Sequence, residues 1–190
     1  MAPGDHNFLQ TGQPRVQQLS VSVAELLGRP GAFRDIELSA PLPGVGVELA
    51  RLTDDPIGAR LRVQSVVEGI LVTGRVEGAT EVRCARCLTG LGSGVELEVC
   101  ELFIAPGHED PADDSYRVAG SEIHLEPMLR DAIALALPLH PLCRRDCKGI
   151  CARCGAALND GECDCREDGT DPRWAPLDAL RAKLEDRSTA

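Results

Sequence analysis

Short apolar runs of period two dominate the chain from Arg34 to Pro106: Val45, Val47 and Leu49; Leu61, Val63 and Val67; Ile70, Val72 and Val76; Val95, Leu97 and Val99. Successive side chains of a strand point to opposite faces. Runs of this kind, separated by Gly and Pro, therefore predict a mostly antiparallel sheet with one buried face. The alternation changes phase at Leu102 and Ile104, which predicts a bulge near Cys100 and Glu101. Upstream, Ser22-Val23-Ala24-Glu25-Leu26-Leu27 sets a serine three positions ahead of a glutamate. That is the spacing of a capping box, and it predicts a short helix halted by Gly28, Pro30 and Gly31.

Beyond the sheet region the period lengthens. Glu126-Pro127 opens a helix with Leu125, Leu129, Ile133, Ala136 and Leu137 on one face, and Pro138 ends it. Gly107 to Ser115 reads as a polar, acidic loop between the two regions. Leu177, Leu180 and Leu184 recur at helical spacing after Asp171-Pro172-Arg173-Trp174, so a final short helix is expected, with Trp174 as its anchor.

The fold class that follows is α+β: a mostly antiparallel β-sheet with a few packed helices and a C-terminal cysteine-rich zinc-binding module. Its expected parts are a flexible N-terminal tail over 1–20, an α+β core domain over 21–138, a zinc-knuckle module with the final helix over 139–184, and a frayed C-terminus over 185–190.

Six of the nine cysteines fall between positions 143 and 165, as Cys143-x3-Cys147-x3-Cys151-x2-Cys154-Gly155 and then Cys163-x-Cys165. A two-residue gap lets two thiolates of one tight turn converge on a metal about 2.3 Å away, and a following glycine lets the backbone wrap the sulfurs. Gly149, Gly155, Asn159 and Gly161 keep the segment rich in turns and poor in apolar mass. Metal binding would supply the missing folding energy, about 10 to 16 kcal/mol for structural zinc.

Six thiols exceed the four that one tetrahedral ion takes. Cys151 and Cys154 form the safest pair, with Cys163 and Cys165 downstream or Cys143 and Cys147 upstream as their partners. A second pair, Cys84-Ala85-Arg86-Cys87, follows a predicted strand. It either closes a second site with Cys143 and Cys147 or consists of two buried thiols at a strand end. Ligands that are all soft thiolates point to a structural Zn2+, ahead of iron–sulfur ligation. Cys100, on a strand, reads as a small apolar core residue.

Composition narrows the functions. The 190 residues support one main core, and the net charge of −10 repels phosphate backbones and attracts basic proteins. Five aromatic residues offer no platform for stacking unpaired bases. Arg144, Arg145, Lys148 and Arg153 against Asp146 form a faintly basic patch, through which direct RNA contact is the minority reading. The first twenty residues lack the apolar run of an export signal, and the longest apolar stretch, Ile133 to Leu137, is far short of a membrane span, so a cytoplasmic, reducing location is expected. No phosphate-binding loop, H-E-x-x-H pair or G-x-S-x-G elbow occurs, and no catalytic residue is expected.

The order of these elements is distinctive: Pro30-Gly31, valine-rich and glycine-rich strands, Cys84-Ala85-Arg86-Cys87-Leu88, a helix ending Leu135-Ala136-Leu137-Pro138, and Cys147-Lys148-Gly149-Ile150-Cys151-Ala152-Arg153-Cys154-Gly155. In this the chain resembles the YceD family, the large ribosomal RNA subunit accumulation proteins, from about residue 20 to residue 184. The resemblance implies a non-enzymatic ribosome-biogenesis factor supporting the synthesis, processing or stability of large-subunit (23S) ribosomal RNA. Combined with the charge, it points to a basic ribosomal protein or assembly factor of the large subunit as partner. The competing readings are a thiol-disulfide oxidoreductase using Cys84 and Cys87, and a zinc-dependent adaptor in transcription or signalling.

Overall fold

A computed structural model of the chain describes residues 19–108, 115–165, 173 and 177. The expected N-terminal tail, most of the acidic loop, the frayed C-terminus and the final helix lie outside these residues, apart from Leu19, Ser20 and Leu177 at their edges.

The elements run in the order β1 (Ser20–Ser22), β2 (Phe33–Ala40), β3 (Gly46–Val47), β4 (Ala50–Leu52), β5 (Ile57–Ser65), β6 (Gly69–Arg83), β7 (Gly90–Ile104), β8 (Tyr116–Arg117), β9 (Glu122–His124) and α1 (Leu125–Ala136). Strands β2 to β8 form one seven-stranded sheet, and β1 pairs with β9 in a two-stranded one. All pairings are antiparallel except β7 with β8.

The β6–β7 hairpin is the spine of the sheet. Its register runs without interruption from Gly69↔Ile104 to Arg83↔Gly90. β7 thus occupies one edge of β6 over its whole length, and the other edge is shared by β5 and, further along, β4.

One face of the sheet is buried, as the alternation predicts. Ile57, Leu61, Val63, Ile70, Val72, Val76, Val99 and Phe103 meet Leu125, Met128, Leu129 and Ile133 of α1 in the main core. Burial of each such side chain contributes about 1.5 to 3 kcal/mol. Outward positions carry charge ladders instead, among them Arg62 with Asp35 at 2.8 Å and Arg75 with Glu96 at 2.9 Å.

Six expectations are corrected. The unbroken register leaves no bulge near Cys100 and Glu101. Leu102 is apolar because it pairs with Leu71 on the outer face, where both are half-buried. Cys100 is exposed and lies opposite Thr73, in phase with Glu96 and Glu98, so it is not a core residue.

Ser22 does not cap a helix. It belongs to β1, opposite Glu122, and the chain makes only a turn in which Leu26 and Leu27 donate N–H groups to the Val23 carbonyl. Among the described residues α1 is the one full helix, so "a few" helices overstates the helical part. On α1 itself Ala136 is exposed, whereas Met128, which the predicted stripe omitted, is buried. Val67, read as part of a strand, is exposed in the β5–β6 turn.

Candidate metal centres

Fifteen-residue strands carry the β6–β7 hairpin well past the main core. Its tip, Cys84 to Thr89, folds back on itself: the Leu88 N–H donates to the Cys84 carbonyl at 2.9 Å, and the Cys84 N–H donates to the Thr89 carbonyl at 3.0 Å. The Arg86 N–H points at Cys84 Sγ from 3.5 Å. A second small core forms close by, where Leu137, just past α1, packs on Ala50 and Val82. From there the chain crosses the tip, the Pro141 carbonyl accepts the Ala85 N–H at 2.7 Å, and Cys143 and Cys147 arrive beside Cys84 and Cys87.

The four sulfurs of this first cage lie within 4.8 Å of one another. Cys84 and Cys147 are 3.8 Å apart and Cys87 and Cys143 are 3.7 Å apart. Four thiolates placed tetrahedrally at about 2.3 Å from one ion are separated by about 3.8 Å. A disulfide needs about 2.05 Å, and all nine cysteines are free. A multi-iron cluster would spread its thiolates over several irons and hold them further apart. The geometry is that of a site for a single ion.

Cys151, Cys154, Cys163 and Cys165 make a second cage with the same 4.8 Å limit. The Gly155 N–H donates to the Cys151 carbonyl at 2.9 Å and the Arg153 N–H lies 3.4 Å from Cys151 Sγ, so this knuckle repeats the hairpin tip contact for contact. Both are built on the tetrapeptide Cys-Ala-Arg-Cys, followed by a residue of positive φ: Leu88 at 60° and Gly155 at 71°. That repeated tetrapeptide is a signal in the sequence that spacing rules alone pass over. The structure thus gathers all eight expected cysteines into two tetrads, one spanning distant segments and one local, and leaves Cys100 apart.

Without a cation each tetrad is electrostatically uneven. Backbone N–H groups, that of Cys87 first and then those of Cys143 and Arg86, pull the Cys84 thiol down to about 6. Those of Cys154 and Arg153 do the same to Cys151, also to about 6. Burial, followed by the neighbouring sulfurs of Cys147, Cys87 and Cys84, pushes Cys143 up to about 12. The Cys154 sulfur and then burial push Cys165 up to about 12. Four thiolates cannot share so small a volume unaided, and a divalent ion removes the conflict. Each group has four thiol ligands and contains no histidine or carboxylate, so each can hold a metal ion with no position left open.

A family model described as large ribosomal RNA subunit accumulation protein YceD matches residues 72–181. That span takes in the hairpin from Val72 onward, α1 and all eight cage cysteines. An uncharacterized protein of Mycobacterium tuberculosis is 38% identical over 165 residues, covering 84% of this chain and 79% of its own. Another, of Mycobacterium leprae, is 37% identical over 162 residues, 81% of this chain and 73% of its own. The large ribosomal RNA subunit accumulation protein YCED homolog 1, chloroplastic, of Arabidopsis thaliana is 35% identical over 66 residues, 35% of this chain and 21% of its own. No solved structure matches the chain.

Proposed function

This chain belongs to the YceD family, and from that membership we propose that it is a non-enzymatic, cytoplasmic ribosome-biogenesis factor supporting the synthesis, processing or stability of large-subunit ribosomal RNA. The observation that carries the reading is the matched span, which contains both cysteine cages within a family described by large ribosomal RNA accumulation. Each cage holds one structural zinc ion. Cys84, Cys87, Cys143 and Cys147 bind the first, and Cys151, Cys154, Cys163 and Cys165 the second. Zinc fits the all-thiolate, tetrahedral, single-ion geometry, and its role there is to fold the turn-rich segment after α1.

The protein acts through protein contacts. With a net charge of −10 it attracts the basic proteins of the large subunit and repels the RNA they bind. A thiol oxidoreductase on Cys84 and Cys87 is less well supported, because Cys84 is fully buried and both sulfurs belong to a four-thiol group, and cysteines held by a metal react slowly. Among the described residues no helix is long and apolar enough to cross a membrane.

Metal analysis combined with a sucrose-gradient profile tests the proposal. Two zinc ions per chain, migration with assembling large subunits, and salt-sensitive, nuclease-resistant co-purification with a large-subunit protein are expected. Absence from those particles, or tight binding to naked ribosomal RNA at physiological salt, would overturn the role.

A further inference from the structure

The two cages are not independent modules on one chain. The loop of the second is fastened to the first through the Leu158 N–H on the Gly149 carbonyl at 3.0 Å, the isolated bridge between Ile150 and Ala157, and above all Asn159. Asn159 lies in the second cage's loop, four positions before Cys163, and is no ligand of either tetrad. Its side-chain Nδ2 donates to Cys147 Sγ of the first cage at 3.2 Å. Its Oδ1 accepts the Lys148 N–H at 2.9 Å and the Arg144 guanidinium at 2.9 Å. One amide thus spends both of its ends on the first cage, on a ligand sulfur and on the backbone that carries it.

We infer that Asn159 is a positioning residue that couples the two metal sites, so that the first cage reaches full affinity only when the second is loaded and folded. The inference rests on the proposed zinc reading. A hydrogen bond to a coordinated thiolate disperses its negative charge and fixes its direction, and loss of such a partner costs about ten- to a hundredfold in metal affinity. The donor stands on a loop with almost no apolar residues of its own. Cys154, Cys165, Gly155 and Gly161 are exposed, so this loop takes its shape from its own metal. Emptying the second cage therefore frees Asn159 and removes the N–H from Cys147. By linkage, emptying the first must weaken the second by the same factor.

Asn159→Asp isolates the effect. The carboxylate keeps the acceptor for Lys148 and Arg144, removes the donor, and sets a negative charge against the sulfur. The full-length protein is loaded with zinc and challenged with a chromophoric chelator, and the two release phases are assigned with Cys163→Ser/Cys165→Ser, which disables the second cage. That double variant should release first-cage zinc about tenfold faster than the unaltered chain. In an Asn159→Asp background the same double change should make no further difference. In cobalt-loaded protein, Asn159→Asp should also move the thiolate-to-metal charge-transfer band to lower energy.

First-cage release unchanged by loss of the second cage would overturn the coupling. Where the double variant does not fold, Asn159→Asp with unaltered release rates and an unmoved cobalt band overturns it equally. Protein that binds no metal in either cage would instead defeat the zinc reading itself, a separate outcome.

Discussion

Cys84 and Cys147 hold their sulfurs 3.8 Å apart across 63 positions of chain. One partner stands at the tip of the longest hairpin and the other beyond the only full helix among the described residues. A metal ion joining them closes a long loop, and the chain entropy removed from the unfolded state grows with loop length. The second cage spans only Cys151 to Cys165 and closes a short loop.

Metal removal should therefore act unevenly. The main core of β5, β6, β7 and α1 involves no cage cysteine, so a chelator should leave the sheet's circular dichroism and the slow hydrogen exchange of Val63, Val72 and Val76 in place. Amides from Cys143 to Cys165 should lose protection together. Exchange mass spectrometry of the reduced, chelated protein checks this, and an unchanged pattern in the C-terminal segment would show that metal does not organise it.

Spacing made both Cys-x-x-Cys turns legible, because metal-binding turns are local. It left the tetrads open, since the meeting of Cys84 with Cys147 depends on Leu137 finding Ala50 and Val82, a contact with no local signature. The buried face of the sheet was equally legible from period two. Cys100 reads as core by residue type, but phase outweighs type: it shares the face of Glu96 and Glu98, which point outward. The Ser22 capping box was locally sound, and the pairing of β1 with β9 overrode it. Asn159 carried only a turn propensity in the sequence, and its role exists only once the two loops meet.

Acidity should act on the assembled tetrads from both sides. Cys84 and Cys151 sit at about 6, below the ordinary 9.0, because backbone N–H groups favour their thiolates. A thiol lowered by folding contributes stability in full above 9.0, and that contribution is lost as pH falls through about 6. Cys143, raised mainly by burial, and Cys165, raised first by the Cys154 sulfur, have the opposite sign. Their contribution is present below 9.0 and is lost as pH climbs toward about 12. Because chelation disorders the segment that completes both tetrads, the effect is read in zinc-loaded protein: chelator-driven zinc release should quicken as pH falls toward about 6, where protons compete for Cys84 and Cys151, and release independent of pH would contradict the assignment.

Leu88 and Gly155 occupy the same place in two like knuckles, yet only glycine is at ease at positive φ. Leu88 holds φ 60° with its side chain half exposed. A left-handed residue other than glycine costs about 1 to 2 kcal/mol, and glycine's extra freedom in the unfolded chain offsets about 0.5 to 1 of that. Leu88→Gly should then raise the stability of the zinc-loaded protein by about 0.5 to 1 kcal/mol with two ions retained. Gly155→Ala meets no atom within 4 Å and should lower it through backbone strain alone. Denaturant titrations of the two variants should move in opposite directions.

Leu137 is the hinge between fold and site. It is 3% exposed against Ala50 and Val82, and the chain it anchors runs directly to Pro141, Cys143 and Cys147. Leu137→Ala should cost about 2 to 3 kcal/mol by leaving a cavity in that small core. Leu135, two positions earlier in the last turn of α1, is 88% exposed, and its replacement by alanine should stay within about 0.5 kcal/mol. Only the buried change should also quicken zinc loss from the first cage, because only it slackens the segment that brings Cys143 over the hairpin tip. Thermal melts paired with chelator release separate the two effects. A Leu137→Ala protein that melts early but keeps its zinc as firmly as before would mean that the tetrad, not the packed leucine, holds the segment in place.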